Sequence, residues 1–346
     1  MHFGSDNTSG VAPEIAAAIM AASTGYAPGY GTDPLMETVR TRIRETFEAP
    51  EAAVYLVATG TIANVLSLAT FCPPWSMIFC HEGAHIQEDE CGAPEFYTGG
   101  ARLNLIAGAH GRITPEALQT AIGSASTNGV HNMQRGMVSL TNVTEAGTVY
   151  TPLMVQALTS VAKSFGLPVH MDGARFANAV VATGATPAEL TWKAGIDVLS
   201  FGGTKNGCMG VEAVVIFDPA RAWEFELRRK RGGHLFSKHR YLSVQMATYL
   251  QDGLWLDLAG RANRAAARLA KGLVAHNQVS LPAPVEANIL FPEWPAETAA
   301  RLQKAGAEFK SWPLPDGRAR ARLVTSWSTT DTEVDALLAG VAGEGS

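Results

Sequence analysis

The sequence predicts an α/β fold: a large domain with a mostly parallel central sheet wrapped by helices, followed by a smaller α+β C-terminal domain. Two observations carry this expectation. Between about residues 50 and 220, short apolar runs rich in β-branched residues alternate with longer stretches of helical character. After about 235 that rhythm stops, and an Ala- and Leu-rich helical region runs to about 277 before a short mixed tail.

The strand candidates, in order, are AVYLVAT, SMIFCH, RLNLIA, GMVSLTNV, LPVHMD, DVLSFGG and AVVIFD. Between them, TPEALQTAI and TPLMVQALTSVAKSFG each place Pro one position inside a Thr cap. There the fixed φ of Pro suits a helix start and its missing N–H costs nothing. TPAELTWKAG has the same opening and is also read as a helix. The tail adds PAPVEANILF, a helix near 296–306 and RARLVTSW, so the expected division is 1–245 and 246–346.

Composition narrows the function. The 346 residues carry 27 basic and 32 acidic side chains, a formal net charge of −5, which gives no support for nucleic-acid binding. The one dense basic run, RRKR at 228–231, reads as a solvated helix face. Four cysteines (Cys72, Cys80, Cys91, Cys208) have no C-x-x-C spacing, as expected of a reduced, cytoplasmic protein. The polar N-terminus has no signal-peptide pattern. The apolar stretch at 52–71 is interrupted by Gly60, Asn64 and several Thr residues, so it reads as strand, turn and helix, not as a membrane span.

Residues 81–85, HEGAH, match the His-Glu-x-x-His zinc template, which needs both histidines on one helical face. Gly83 in the middle and the strand candidate just before it argue against that helix. Three other strand-end signals form a more coherent set. ATGTIAN (58–64) is a Gly-Thr turn opening a helix, where free N–H groups suit a phosphate. In LPVHMDGARF, Asp172 ends an apolar strand, either as a helix cap or as a carboxylate aimed at a cationic ring nitrogen. In DVLSFGGTKNG, Lys205 sits among small residues that leave room at its amine for a Schiff-base partner. A phosphate cup, then an acid, then a lysine 33 positions later is the order that a pyridoxal 5'-phosphate (PLP) enzyme needs.

These motifs, with GSDNTSG at the start, GYGTDP (29–34) and RLVTSW (322–327), resemble the low-specificity L-threonine aldolases, PLP enzymes of the aspartate-aminotransferase fold (type I). The resemblance runs over essentially the whole chain. It implies cleavage of L-β-hydroxy-α-amino acids to glycine and an aldehyde, with Lys205 carrying PLP, Asp172 facing the pyridine nitrogen, and Gly60 and Thr61 on the phosphate. It further implies that His85 stacks on the ring, that Ser5, Arg175 and Arg322 bind the substrate carboxylate, and that Tyr30 lies near a neighbouring subunit's cofactor. Lys238, with Arg231 in reserve, would reach a partner's phosphate, so a homodimer or homotetramer with shared sites is expected. One departure stands out: TNVTEAGTV places Glu145 where the family commonly has a histidine near the substrate hydroxyl. His85 and Glu145 are therefore both candidates for the base. The rival readings are another PLP reaction on the same fold, such as β-elimination or transamination, a cofactor-free binding protein, and the zinc hydrolase.

Overall fold

The computed structural model describes residues 1–125 and 128–343. Among them, all seven strand candidates are strands: β1 (Ala53–Val57), β2 (Ser76–His81), β3 (Arg102–Ile106), β4 (Gln134–Thr141), β5 (Val169–Gly173), β6 (Val198–Gly202) and β7 (Glu212–Ile216). They form one sheet in the order β1-β7-β6-β5-β4-β2-β3. The pairs from β6 across to β3 are parallel, while β7 runs antiparallel between β6 and β1.

Strands β5, β6 and β7 are buried at every position, as expected where helices cover both faces of a sheet. Side-chain alternation divides each strand between two cores. Tyr55, Val57, Val198, Val214 and Ile216 face Ala63 and Leu66 of the helix Gly60–Phe71. Val54, Leu56, Leu199, Phe201 and Val215 join the larger core on the opposite face, with helices Pro152–Ser164 and Phe176–Thr183. Phe47, Phe176 and Phe201 meet there, ring centroids 5.6–5.9 Å apart.

Two local expectations are corrected. TPAELTWKAG is not an α-helix but a set of turns ending in the 3-10 helix Trp192–Ala194. Its ties lie elsewhere: the Trp192 indole donates to Phe47 O (2.7 Å), and left-handed Gly195 (φ 95°) ends the segment against Thr159. The basic run RRKR lies on the helix Ala222–Arg231, but Arg229 is only 5% exposed. Its guanidinium lies 4.9 Å from the Tyr55 ring centre and donates to Leu56 O.

The long C-terminal helical region is two helices, Arg240–Tyr249 and Leu254–Leu273, separated by a break at Asp252 and Gly253, both with positive φ. Beyond lie β8 (Ile289–Leu290), β9 (Glu293–Pro295), β10 (Lys310–Pro313) and β11 (Arg318–Val324), with β11 paired to each of the other three. Helices Ala296–Lys304 and Asp331–Ala342 close a second core around fully buried Trp294. Apart from Phe3, every fully buried member of that core lies at or beyond Ala265. The N-terminal arm thus starts in the small domain: Phe3 N–H donates to Glu308 O, and Phe3 O accepts from Val324 N–H. Three residues on, Asp6 bonds Arg175, just beyond the carboxyl end of β5.

Candidate active site

The carboxyl ends of the parallel strands open on one edge, where ligands gather in such sheets. A cavity of about 260 Å³ lies there. The helix Gly60–Phe71 begins directly at it. Thr59 caps that helix, its hydroxyl accepting from Ile62 N–H (3.3 Å) and its carbonyl from Ala63 N–H (3.1 Å). Helix geometry leaves the amides of Gly60 and Thr61 without an intrahelical acceptor, and both residues line the cavity. Charge favouring an anion is therefore concentrated at this end.

Lys205 lines the same cavity from the 3-10 turn Thr204–Asn206 that follows β6. The turn is fixed on both sides. Asn206 donates to Tyr249 Oη (2.7 Å) and Trp255 O (2.8 Å), and Gly207 continues the chain at φ 101°, which glycine adopts without strain. At Gly202 a Cβ would run into the Ala174 carbonyl, so the double glycine brings β6 against the segment carrying Asp172. Asp172 is 3% exposed, with Oδ1 accepting from Ala174 N–H (3.0 Å) and Oδ2 from Asn64 (2.9 Å).

His85 opens the short helix His85–Glu88 and also lines the cavity. Its Nδ1 lies 2.8 Å from Glu90 Oε1, which accepts from the same Asn64 amide (3.0 Å). One chain of contacts therefore runs His85–Glu90–Asn64–Asp172. The bond to Glu90 raises the His85 pKa against the opposing effect of burial, and the charges of Asp172, Glu90 and Glu145 raise it further. Burial raises that of Glu90. The HEGAH match does not make a helical ligand pair, because His81 closes β2 and His85 starts the next helix. His81 Nδ1 accepts from Gly83 N–H instead, and Glu82 is exposed.

The three residues expected on the substrate carboxylate do not line this cavity, although Asn7 and Ala174, close to Ser5 and Arg175 in the chain, do. Arg175 is 4% exposed and holds Asp6 by two bonds, Nε to Oδ2 at 2.7 Å and Nη2 to Oδ1 at 3.0 Å. Burial alone would lower the Arg175 pKa, but the Asp6 carboxylate outweighs it and the net direction is upward. Asp6 is held below the ordinary carboxylate range: burial opposes this, and the Arg175 charge and hydrogen bonds prevail. An anion reaching Arg175 would find the Nη1 edge, which Asp6 does not use. Arg322 on β11 is half-buried, and its Nη1 makes one long bond to Gly4 O (3.4 Å). Burial and then the neighbouring Arg175 charge lower its pKa, a setting that an incoming anion would relieve. Ser5 caps the turn Asp6–Thr8, its Oγ accepting from Asn7 N–H (3.2 Å).

Glu145 lines an adjoining cavity of about 230 Å³ with His81, Gly83 and Ala84, and its charge acts on His85, Arg175 and Arg322 alike. Tyr30 is exposed, with Lys230 Nζ 4.9 Å from its ring centre, and it does not line the cofactor-sized cavity of its own chain. Lys238 and Arg231 are exposed and away from it as well; Arg231 borders a separate groove of about 610 Å³ with Phe96 and Leu227.

Sequence reasoning missed Asp6, Asn7, Asn64, Glu90 and Glu212 as contributors to this region. Asp6 and Asn64 stood inside quoted motifs, but their value lies in partners 169 and 108 residues away. Glu90 is one acid among several in HIQEDE, with nothing local to single it out. Glu212 had a usable signal: it is a carboxylate at the start of a strand otherwise made of apolar residues.

The chain is similar to known proteins in sequence and in fold. The model of the beta-eliminating lyase family matches residues 2–294. A low specificity L-threonine aldolase from a Pseudomonas species is 39% identical over 98% of this chain and 96% of its own. Another, from Pseudomonas aeruginosa, is 40% identical over 94% and 93%. A threonine aldolase structure from Leishmania major superposes with a TM-score of 0.93 at 27% identity, covering 99% of this chain and 98% of that one. A serine palmitoyltransferase from Sphingomonas wittichii, at 18% identity and a TM-score of 0.73, shares the fold. The chain belongs to the beta-eliminating lyase family, and its curated relatives there are low specificity L-threonine aldolases.

Proposed function

We propose that this protein is a PLP-dependent aldolase that cleaves L-β-hydroxy-α-amino acids of the threonine, allo-threonine and phenylserine type to glycine and an aldehyde. The observation that carries the reading is the single cavity where Lys205, Asp172, His85 and the start of the helix Gly60–Phe71 converge. The cavity fits PLP by its donor set: amides for a phosphate at one end, a fixed carboxylate for a pyridinium, and an amine for an aldehyde. Asn64 adds a buried Oδ1 with no protein partner. Bound there, PLP supplies an electron sink for the pair released when the Cα–Cβ bond breaks.

The residues of the chain supply the rest. Asp172, locked by Ala174 and Asn64, would pair with the ring nitrogen. Gly60 and Thr61 hold the phosphate. Arg322, the open edge of Arg175 and Ser5 fix the substrate carboxylate, which selects the bond that breaks by setting its orientation. With Nδ1 engaged by Glu90, His85 has Nε2 left to take the β-hydroxyl proton, and its raised pKa makes it a better base. Glu145 is the second candidate for that proton. Tyr30, Lys238 and Arg231 act between subunits in a homodimer or homotetramer, and the protein works in the cytoplasm. A division into two domains, expected at 245/246, is part of the same reading; the change of core along the helix Leu254–Leu273 supports two units but falls later, between Ala259 and Ala265.

The test is product analysis with threonine, allo-threonine and phenylserine on PLP-loaded protein. Equimolar glycine and aldehyde are expected. Ammonia with a keto acid would assign β-elimination, and a keto acid alone would assign transamination.

A further inference from the structure

We propose that Glu212 is a positioning residue for Lys205: a buried carboxyl that gives a proton to the lysine amine when substrate displaces it and takes the proton back when the lysine returns. This rests on Lys205 being the PLP-bearing lysine.

Three observations support it. Glu212 is 6% exposed, yet lines the same cavity as Lys205, entering from β7 while the lysine enters from the turn after β6. Its Oε2 accepts from Gly203 N–H (2.9 Å), two residues before Lys205, so the carboxyl is tied to the lysine's own turn. The other acids of the site carry bonds to other groups, while Glu90 Oε2 has no partner among the described residues. Both Asp172 oxygens are hydrogen-bonded, and Glu90 Oε1 serves Asn64 and His85. No ion pair joins Lys205 to an acid among the described residues; its charge acts on both Asp6 and Glu212, and Asp6 is already held by Arg175.

The electrostatics suit a reversible transfer. Burial raises the Glu212 pKa to about 7, against the lowering effects of the Thr204 hydroxyl, the Gly203 amide and the Lys205 charge; Asp172 raises it further. The other titratable groups whose charge couples to it are Cys208, in the loop before β7, and Tyr249, at the end of the helix Arg240–Tyr249. The step is balanced. A neutral lysine amine takes the proton of the Glu212 carboxylic acid, leaving an ammonium beside a carboxylate, and reattachment reverses the transfer with no other reactant.

The test compares wild type with Glu212→Gln, which keeps an oxygen for Gly203 N–H but holds no acidic proton, and with Glu212→Asp. The readouts are PLP affinity, the pH midpoint of the PLP absorbance, kcat and KM for threonine, and apo-protein melting. Glu212→Gln is expected to bind PLP within about threefold of wild type and to melt no lower. Its absorbance midpoint should move down by about half a pH unit or more, because in wild type Glu212 ionises as pH rises through about 7 and its carboxylate then favours the cationic lysine nitrogen. Its kcat should fall about tenfold or more at nearly constant KM, with partial recovery in Glu212→Asp. An unchanged midpoint and kcat would overturn the proposal, and so would lower melting with PLP loss in both variants, which marks a purely structural role. Lys205→Ala separates the premises: if it keeps the wild-type pH-dependent absorbance, the assignment of Lys205 itself fails.

Discussion

Asp6→Asn is the most informative single change to the framework of the site. The pair it breaks is buried on both sides, Asp6 at 1% and Arg175 at 4% exposure. The Asp6 carboxylate accepts three hydrogen bonds, from Arg175 Nε (2.7 Å), Arg175 Nη2 (3.0 Å) and Asn288 Nδ2 (3.1 Å). An asparagine keeps one acceptor oxygen and turns the other into a donor facing a guanidinium. Removing one partner of such a pair costs about 3–5 kcal/mol, since the remaining charge stays buried without compensation. Asparagine keeps one acceptor oxygen for the guanidinium, so the lower end, about 3 kcal/mol, is expected. The assay is urea unfolding of the apo-protein for Asp6→Asn, Arg175→Gln and the double variant. The double variant should lose much less than the sum of the single changes. Additivity within about 0.5 kcal/mol would refute the coupling. The pH dependence has a definite sign. The folded pKa of Asp6 is depressed, so its stabilisation is complete above its unfolded value of about 3.9 and disappears only as pH falls below that.

Other outcomes follow from the same structure. Glu90→Gln removes the carboxylate that orients His85; kcat for threonine should fall by about tenfold to a hundredfold with PLP binding kept, and the acidic limb of the rate profile, set by deprotonation of His85, should move to lower pH. Buried His170 sits between Ser139 and Ser200 with its pKa pushed down to about 4 by burial. A histidine with a depressed folded pKa stabilises fully above about pH 6.5 and loses that contribution as pH falls towards 4. Wild-type stability should therefore approach, and fall relative to, that of His170→Gln by about 3 kcal/mol across that window, measured by urea titration. Gly202→Ala forces β6 away from the Ala174 carbonyl; an apo-protein about 1–3 kcal/mol less stable, with weakened PLP uptake, is expected in melting and absorbance titrations.

Much of this architecture was legible because the sheet is buried on both faces. Strands covered on both sides must be largely apolar runs, and β5, β6 and β7 stood out as such, whereas the edge strand β3 keeps exposed Arg102 and Leu105. Lys205, Asp172 and the Gly60 turn were legible for a related reason: polar groups at the ends of apolar runs have few structural roles open to them. The failures share a cause as well. TPAELTWKAG has a sound helix start, but the Trp192 indole bond to Phe47, far away in sequence, sets its path. Arg229 belongs to a basic run that looks solvated, and only the fold puts Tyr55 beneath it. Asp6 and Glu90 gain their meaning from Arg175 and His85, contacts that no local pattern encodes.

The assignment of Lys205 is tested most directly by reducing the PLP-loaded protein with borohydride, digesting it, and locating the added cofactor mass. The account predicts that the mass lies on the peptide containing Lys205, and that Lys205→Ala takes up no such label and loses nearly all threonine cleavage. Label on another lysine, or a Lys205→Ala protein that still cleaves threonine at the wild-type rate, would contradict it.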